Sequence, residues 1–405
     1  MLRRIRDRNI VLVYLAVFLL GTAYGMSIAV ISLHLDARGF TKPDIAQLAA
    51  FFASGIVLAS LPMGAVLRRF SAKGTLTVSL LGYAVMVGLF PLLRTYSAIA
   101  VARLLDGAFS VGVWVSCETI LLQRSGPDDK AYVTSLYAMA VAVGYVVGPL
   151  ASRGIAQALS IAAAFFVAAV VALGSAVLVF ARLDRDPPGA HEDPHPSGGG
   201  REPILRLAGR IKTSCLATFA YGYFQASVVL FLPLFLVESK GIAREETILI
   251  PAFFAAGMLL FSNAAGRLGD RVGHLLVMRW LAVVGLLMIL GFVFLDSFHL
   301  MEGAVFVAGA TLASISPVSL ALQGVVTPKH DVSRSNAVYN AFYATGMLVG
   351  PPVSGAVFGR FGGPAMLYHL AALWAVFVVF AVVFAEDDPH ARVKREFGRA
   401  SSALS

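Results

Sequence analysis

The sequence predicts an all-α polytopic membrane protein with twelve transmembrane helices arranged as two six-helix bundles. Apolar residues make up 58% of the 405 residues and charged residues 14%, whereas soluble domains average about 45–50% and about 25%. The apolar residues form blocks long enough to cross a bilayer, which takes about 20 helical residues. Sequence patterns also recur at a constant separation of 202 residues, for example from Gly64 to Gly266. The composition and the blocks predict the membrane helices, and the repeat predicts the two bundles.

The predicted membrane segments are helices because none alternates apolar and polar residues as a strand would, and because a helix satisfies its own backbone in lipid. The first segment follows the basic stretch Met1–Arg8, but its apolar run is too long for a signal peptide, so we expect it to be retained. The twelve predicted helices cover residues 9–33, 44–67, 75–93, 97–122, 133–157, 160–181, 212–237, 246–266, 275–295, 301–326, 335–359 and 363–385.

Lysine and arginine residues set the predicted orientation, because they favour the cytoplasmic side of a membrane. With the N-terminus inside, 24 of them fall in cytoplasmic segments and 7 in segments on the other side. Both termini are therefore predicted to lie in the cytoplasm. This bias accounts for the net charge of +9, so we expect the chain to contact a lipid bilayer and not to bind nucleic acid.

A polar segment divides the chain into two halves. It is rich in Pro, Gly and Ser and carries charges, which is typical of a flexible connection. The predicted parts are an N-terminal bundle over residues 1–181, a cytoplasmic linker over 182–211, a C-terminal bundle over 212–385 and a solvated cytoplasmic tail over 386–405.

The repeat is clearest in three places. The segment Gly266–Leu275 lies between two apolar blocks and contains two Arg, one Asp and three Gly. A connection this short between helices needs glycine for the chain to reverse its direction. An altered copy covers residues 64–73. Phe51–Gly55 also recurs at 253–257, and Gly144–Pro149 recurs at 346–351, both at the same separation. A unit repeated in one orientation predicts a solute site between the halves, near mid-membrane.

These motifs give the chain a resemblance to the major facilitator superfamily over its full length. Helix 4 carries Arg103–Gly107, similar to the family's R-x-x-x-G motif, and Gly148–Pro149 is similar to the G-P motif of antiporters. The connection between helices 8 and 9 resembles the signature G-x-L-x-D-R-x-G, matched at Gly266, Leu268, Asp270, Arg271 and Gly273. The resemblance implies a bacterial inner-membrane secondary transporter, monomeric, that moves a small organic solute by alternating access. Trp114 and Glu118 also resemble the W-x-x-x-E of an uncharacterised bacterial branch.

The chain departs from the family pattern in the N-terminal copy of the signature. Arg68 stands where the signature has Asp, although Arg69 is kept. The two cytoplasmic gates are therefore expected to differ, with Glu118 supplying the missing acid, while Asp270 is predicted to stabilise the outward-open state at the end of a neighbouring helix or against an arginine. Ser152 and Arg153 follow Gly148–Pro149 where antiporters usually have glycines, so this motif does not establish antiport.

Helix 4 holds ionisable residues within a membrane span, and such residues are functional candidates because burying them is costly. At about 100° per residue, five positions fall within an arc of about 80° and form a polar stripe. We expect this stripe to face the central cavity. The stripe consists of Arg103, Gly107, Ser110, Trp114 and Glu118.

Two alternatives are open for the charged residues of helix 4. Arg103 and Asp106 are three residues apart and can pair, either as a structural ion pair or as a coupling pair in which protonation of Asp106 frees Arg103 for the solute. Glu118 is either a gate anchor that pairs with Arg68 or Arg69, or a proton carrier.

Weakly polar and aromatic residues on other helices are further candidates for the solute site. Any one of them could instead make a helix–helix hydrogen bond, worth about 0.6 kcal/mol on average. Glycine and proline pairs in helices 5 and 11 are expected to allow close packing and bending. The solute candidates are Tyr24, Tyr221, Gln225, Asn340 and Tyr343, and the bending candidates are Gly148, Pro149, Gly350 and Pro351.

The sequence contains no signature of an enzyme or of ATP-driven transport, since it has neither G-x-x-x-x-G-K-[ST] nor H-E-x-x-H. His191 and His195 in the linker are interpreted as polar residues rather than metal ligands, and Cys117 and Cys215 give no disulfide framework. No enzymatic activity, cofactor or metal is therefore expected.

The preferred functional prediction is proton-coupled efflux of an amphipathic solute, because the acidic groups in the spans are few and the cavity candidates are aromatic. Uptake is the alternative, with Arg103 contacting an anionic or sugar-like solute. A transport-incompetent scaffold or lipid-handling protein on the same fold is a third possibility, which the buried charges of helix 4 disfavour.

Overall fold

The computed structural model describes residues 7–125, 130–184, 203–328 and 331–389, and the regular elements within them are all helical. Twelve of the helices are long and apolar enough to cross a membrane, which confirms the predicted fold class. They are α1 (Arg8–Ala37), α2 (Lys42–Arg69), α3 (Ala72–Leu89), α4 (Tyr96–Arg124), α5 (Lys130–Ala158), α6 (Ile161–Arg182), α7 (Lys212–Lys240), α8 (Ile250–Val272), α9 (His274–Phe292), α10 (Phe298–Ala308, resuming at Ile315–Val326), α11 (Val332–Phe361) and α12 (Gly363–Val383). Short helices at Ile204–Arg210 and Arg244–Thr247 precede α7 and α8.

Polar residues at the ends of the apolar blocks set where several helices begin. The Thr41 hydroxyl accepts a hydrogen bond from the Asp44 backbone N–H, and the Asp44 carboxylate accepts one from the Thr41 backbone N–H, forming a capping box at the start of α2. Ser71 and Ser160 accept from backbone N–H groups three residues on, each at 3.1 Å. These bonds satisfy helix N–H groups that have no partner within the helix.

The connection between α8 and α9 is shorter than predicted, because α8 continues through the polar signature to Val272. Gly266 and Gly269 lie inside α8, and Gly273 is the single residue between the two helices. Gly273 has φ of 107°, a conformation that strains residues with a side chain. In the N-terminal copy, Gly64 lies within α2 in the same way.

The described residues form two compact units. The first contains α1–α6 together with residues 229–255, and the second contains the other described residues. Each unit holds the same close helix contact. A Cβ added to Gly55 would lie 2.0 Å from the Leu104 carbonyl oxygen, and one added to Gly257 would lie 2.1 Å from that of Phe306. Gly257 is 202 residues after Gly55, and Phe306 is 202 residues after Leu104. The repeat in the sequence therefore corresponds to a repeat in helix packing.

The glycines predicted for helices 5 and 11 also lie at close contacts. A Cβ on Gly148 would lie 2.5 Å from the Thr22 oxygen of α1, and one on Gly350 would lie 2.6 Å from the Tyr223 oxygen of α7. Helices α5 and α11 continue through Pro149 and Pro351 without a break. The bending role of these prolines stays a prediction.

Helix α10, predicted as one continuous helix, is interrupted. A π-helical segment, Gly309–Ala313, separates its two parts. Pro317 lies near the start of the second part and has no N–H to bond the carbonyl four residues earlier, at Ala313. The interruption places Ser314, which is fully buried, at the junction.

The segment after α12, expected to be solvated, is partly buried. Asp388 is 2% exposed, and its carboxylate accepts a 2.8 Å hydrogen bond from the Leu275 backbone N–H in the first turn of α9. The residue at the N-cap position just before α9 is Gly273, which has no side chain that could accept this hydrogen bond. Asp387 forms a 2.8 Å ion pair with Lys212 at the start of α7. Residues 387–388 therefore join α12 to the starts of α7 and α9.

Replacing Asp388 by alanine is expected to destabilise the second unit by about 1–3 kcal/mol, because the α9 N-terminus loses a buried, charged hydrogen-bond acceptor. Thermal unfolding of the purified protein in detergent measures this. Asp388→Asn keeps an acceptor oxygen and should lose less stability than Asp388→Ala. Equal melting temperatures for Asp388→Ala and the parent would contradict the assignment.

Candidate functional site

Arg103 and Asp106 meet on α4, one turn apart. The Arg103 guanidinium lies 2.5 Å from Asp106 Oδ2, and the two side chains are 14% and 8% exposed. The guanidinium also lies 4.3 Å from the centre of the Phe52 ring of α2, in a cation–π contact. Asp106 Oδ1 is buried and has no hydrogen-bond partner in the described part of the chain. The pair therefore leaves one carboxylate oxygen free to take a proton.

A small cavity lies beside this pair, inside the first unit. Its volume is about 10 Å³, roughly the room that one water molecule needs, and it is lined by residues of α1, α3, α4 and α6 as well as the pair itself, among them Ser27, Met86 and Phe165. Sites for drug-sized ligands usually measure about 300–1,000 Å³. The cavity suits water next to the carboxylate better than it suits an organic solute.

Aromatic residues surround the same pair. Tyr24, a predicted solute candidate, lies with its ring centre 6.1 Å from that of Phe52 and 5.5 Å from that of Tyr145 on α5. The hydroxyls of Ser27 and Tyr83 lie 3.4 Å apart beside the cavity. The structure thus brings Arg103, Asp106 and Tyr24 into one cluster of α1, α2, α4 and α5.

The rest of the predicted stripe has two environments. At Gly107, a Cβ would lie 2.1 Å from the Phe52 carbonyl oxygen, and the Ser110 hydroxyl donates to the Asp106 carbonyl at 2.8 Å. This outer part of the stripe is packed against α2 or bonded to its own helix. Further in, Trp114 is half-buried and Glu118 is exposed.

Glu118 has no hydrogen-bond or ion-pair partner among the residues that the structure describes. The proposed partner Arg69 instead places its guanidinium 5.7 Å from the centre of the Phe70 ring. The side chain of Arg68 lies outside the described part of the structure. The gate pairing is therefore not formed with Arg69.

In the second unit, three of the four solute candidates lie together. The rings of Tyr221 and Tyr343 stack with their centres 6.0 Å apart at an angle of 24°. The Tyr343 hydroxyl donates to Gln225 Oε1 at 2.9 Å. Asn340 is exposed on α11 and has no hydrogen-bond partner in the described residues.

The signature residues of the α8–α9 connection lie apart from this cluster. Asp270 is 69% exposed, and its Oδ1 lies 3.1 Å from Nε2 of His274, one turn along. Among the described residues it contacts no arginine; its partner His274 is the first residue of the neighbouring helix α9, and Arg271 is exposed. The role of Asp270 in stabilising an outward-open state stays a prediction.

A group of ion pairs that the sequence did not predict lies within the first unit. We call it the outer ion-pair cluster, since its residues fall on the side predicted to be non-cytoplasmic. Asp36 at the end of α1 is the centre: it lies 2.7 Å from Lys42 and 2.8 Å from Arg244. Arg244 also donates to the Leu33 carbonyl at 3.1 Å.

Two further ion pairs complete the outer ion-pair cluster. Lys42 also contacts Glu238 near the end of α7. Arg153 on α5 contacts both oxygens of Glu246, at 2.7 and 2.6 Å. The cluster therefore ties residues 238–246 to α1, α2 and α5. Asp36 and Lys42 are close in the sequence, but the partners in the other ion pairs are separated by 93 to 208 residues. The sequence therefore contains no signal for these pairs beyond an excess of charge near the predicted helix ends.

Asp36→Asn is expected to loosen the outer ion-pair cluster, because Lys42 and Arg244 lose the carboxylate they share. Removing one partner from these largely buried ion pairs is expected to lower the free energy of unfolding by about 1–3 kcal/mol. Spin labels at positions 38 and 240 should report longer or broader distances in the variant. The control Glu302→Gln removes an acid at the outer end of α10, where it contacts only His299 among the described residues. An unchanged distance distribution in Asp36→Asn would contradict the prediction.

Comparison with known proteins defines the family. The family model of the Major Facilitator Superfamily matches residues 13–298 and 214–405. The chain therefore belongs to the major facilitator superfamily, as the sequence motifs predicted, and it is a membrane transporter of this family.

Its relatives are similar along most of their length. It is 23% identical over 372 residues to the uncharacterized MFS-type transporter YfkF of Bacillus subtilis (strain 168), covering 90% of this chain and 93% of the relative. It is 22% identical over 384 residues to the uncharacterized MFS-type transporter YcaD of Shigella flexneri, covering 94% and 97%.

Solved structures share the fold. A bacterial homolog of the human lysosomal transporter Spinster, in an inward-facing and occupied conformation, has a TM-score of 0.73 at 14% identity, covering 95% of this chain and 96% of that one. The nucleoside transporter NupG has a TM-score of 0.76 at 14% identity, covering 93% and 98%. At this identity the likeness establishes the architecture and leaves the solute open.

Proposed function

We propose that this transporter is a monomeric, proton-coupled efflux protein of the bacterial cytoplasmic membrane, with both termini inside, that exports a small organic solute by alternating access. The observation that carries the proposal is the Arg103–Asp106 pair beside a small cavity of the first unit. The repeat-related positions in the second unit are the apolar Val305 and Ala308. The charges are therefore specific to one half, as expected for a coupling group rather than for a packing element of the repeat.

The geometry suggests how a proton acts on this pair. Asp106 Oδ1 has no hydrogen-bond partner among the residues that the structure describes and can accept a proton from water in the cavity. Protonation removes the negative charge that compensates Arg103. A buried charge without a partner is costly, so the Arg103 guanidinium must move or find a new partner. Because it also lies on the Phe52 ring, its movement alters the contact between α4 and α2.

The same geometry favours efflux of an amphipathic solute over uptake of an anion. An anionic solute needs an available cation, and Arg103 is already engaged by Asp106 and Phe52. The polar groups of the second unit's candidate cluster are neutral, namely Tyr221, Gln225 and Tyr343. Uptake is therefore the second candidate, with Arg103 released only after Asp106 is protonated.

Proteoliposomes containing pyranine test the proposal. Protons are expected to move only when a transported solute is present, and in the direction opposite to the solute. Proton movement in the same direction as the solute would support the uptake alternative. Solute movement without proton movement would reject coupling, and no movement of any solute across a broad panel would favour a protein without transport activity.

A further inference from the structure

Two stacked aromatic rings close one side of the cavity beside Asp106. Asp106 itself is 6% exposed, so a proton must reach it through the surrounding protein. Phe90, directly after α3, and Phe165 on α6 both line the cavity and are 4% and 1% exposed. Their ring centres lie 5.1 Å apart at an angle of 28°. Because an apolar constriction excludes water, this ring pair separates the cavity from what lies behind it.

His34 of α1 lies behind the ring pair. Its ring centre is 5.3 Å from that of Phe165 and 6.1 Å from that of Phe90, and the described residues that line the cavity do not include it. Ser27 and Ile31, seven and three positions earlier on α1, do line the cavity. These spacings put all three residues on one face of the helix. This face of α1 therefore runs from the cavity past the ring pair to His34.

The imidazole of His34 also reaches the end of α1 that is predicted to be non-cytoplasmic. His34 is half-buried and Arg38 is exposed. Arg38 Nη1 lies 3.4 Å from His34 Nε2 and donates a 2.6 Å hydrogen bond to the Leu93 carbonyl between α3 and α4. Among the described residues, Arg38 is the charged group that faces His34, while α3 and α6 face it with Phe90 and Phe165. His34 thus joins an aqueous helix end to the ring pair.

The second half of the chain has apolar residues in place of the polar ones on α1. A Cβ on Gly144 of α5 would lie 2.7 Å from the Phe18 carbonyl oxygen, and one on Gly346 of α11 would lie 2.3 Å from that of Phe219. Helix α7 therefore corresponds to α1 at a separation of 201 residues. The residues that take the places of Ser27 and His34 are Val228 and Phe235. His34 is thus specific to the half that holds Arg103 and Asp106.

We propose that His34 is the entry residue for the proton that reaches Asp106, and that the ring pair of Phe90 and Phe165 closes the path between them. The proposal rests on the proposed function in one respect, namely that Asp106 takes up the proton. Imidazole is suited to proton transfer near neutral pH. Outside water protonates the neutral imidazole, and when the rings separate the imidazolium gives a proton to the cavity water. That water gives one of its protons to Asp106 Oδ1, which leaves the imidazole and the water as they began and Asp106 neutral.

Infrared difference spectroscopy of the purified full-length protein in detergent tests this path. After a rapid drop in pH the carboxyl band of protonated Asp106 forms, and its loss in Asp106→Asn assigns it. We expect the band to form at least about ten-fold more slowly in His34→Gln, because the side chain that transfers the proton is lost. An unchanged rate in a folded His34→Gln would overturn the proposal, and so would the absence of any band that depends on Asp106.

A second replacement distinguishes proton transfer from packing. His34→Glu keeps a group that can take up and release protons, so it should retain more of the parent's rate than His34→Gln. Equal rates in these two variants would show that His34 only packs. His299→Gln is the matched control, because it removes a histidine that is 92% exposed and contacts Glu302, and it should have the parent's rate. His34→Asn supplies the same comparison if His34→Gln does not fold.

Opening the ring pair should have the opposite effect. Phe165→Leu removes the stacked ring and should speed protonation of Asp106 at least about three-fold, because water enters a wider constriction more readily. The neighbouring Phe166 is 42% exposed, so Phe166→Leu is the matched control and should keep the parent's rate. A folded Phe165→Leu that is no faster than the parent would overturn the role of the ring pair.

The infrared measurement uses neither a solute nor a proton gradient, which separates this proposal from the proposed function. Slower protonation in His34→Gln, together with solute movement without proton movement in proteoliposomes, would keep the proton path and reject coupling. Proton-coupled transport, together with a His34→Gln variant that protonates Asp106 at the parent's rate, would reject the proton path and keep coupling.

Discussion

Asp106→Asn is expected to abolish uphill transport, with solute accumulation at least about ten-fold below that of the parent. Asparagine has nearly the same shape as aspartate but cannot cycle between charged and protonated forms. Arg103 would then have one neutral partner throughout, and a proton gradient could no longer change the α4–α2 contact through Phe52. Movement of solute down its own gradient should persist. Solute accumulation in proteoliposomes with and without an imposed pH gradient measures both.

The controls for this prediction separate coupling from folding. Ser110→Ala removes a hydroxyl that donates only to the Asp106 carbonyl among the described residues, and should transport like the parent. If Asp106→Asn fails to fold because Arg103 is left as an uncompensated charge, the double variant Arg103→Gln with Asp106→Asn should fold and remain uncoupled. Glu118→Gln is measured in the same assay. Uphill transport retained by both Asp106→Asn and Glu118→Gln would refute the coupling assignment.

Gly257→Ala is expected to destabilise the second unit by about 1–3 kcal/mol, because the new methyl group overpacks a helix contact. Its Cβ would lie 2.1 Å from the Phe306 carbonyl oxygen and 2.7 Å from the Ala310 backbone nitrogen. Both neighbours are backbone atoms, so they cannot rotate away as a flexible side chain could. Helices α8 and α10 must separate to accommodate the substitution.

Melting of the purified protein in detergent tests this second prediction. Gly303→Ala and Gly291→Ala are matched controls, because a Cβ at either position meets nothing within 4 Å, and alanine is the better helix former. Gly55→Ala, the repeat-related change, should destabilise the first unit similarly, through the Leu104 carbonyl. If Gly257→Ala has the same melting temperature as the control variants, the contact between α8 and α10 is looser than described.

Much of the fold could be predicted because its signals are local in the sequence. Each span is a continuous apolar block, and the repeat that contains Gly55 and Gly257 is visible in the sequence. The helix contacts at these two glycines were not predicted and are known only from the structure. Helix ends were harder, because backbone hydrogen bonding carries α8 through polar residues as far as Val272. The break in α10 has a local cause in Pro317, but a proline inside an apolar block does not by itself distinguish a kink from an interruption.

The candidate site was predictable only where its residues share a helix. The spacing of Arg103 and Asp106 permits an ion pair, and the structure forms it. The contact of Arg103 with Phe52 joins different helices and has no signature in spacing. The same holds for the outer ion-pair cluster, where Asp36 meets Arg244 across 208 residues. The isolation of Glu118 from Arg69 depends on where the end of α2 lies, which hydropathy does not resolve.

The hydrogen bond between Asp388 and Leu275 also bears on biosynthesis. The two residues are 113 positions apart, and ribosomes add about 5–20 residues per second. Helix α9 is therefore made roughly 6–23 s before its capping carboxylate exists. During that interval the first turn of α9, at the end of the signature segment Gly266–Leu275, lacks its hydrogen-bond acceptor Asp388. The final structure of this signature thus waits for the synthesis of α12, which makes the family's most recognisable segment one of the last parts of the second unit to be completed.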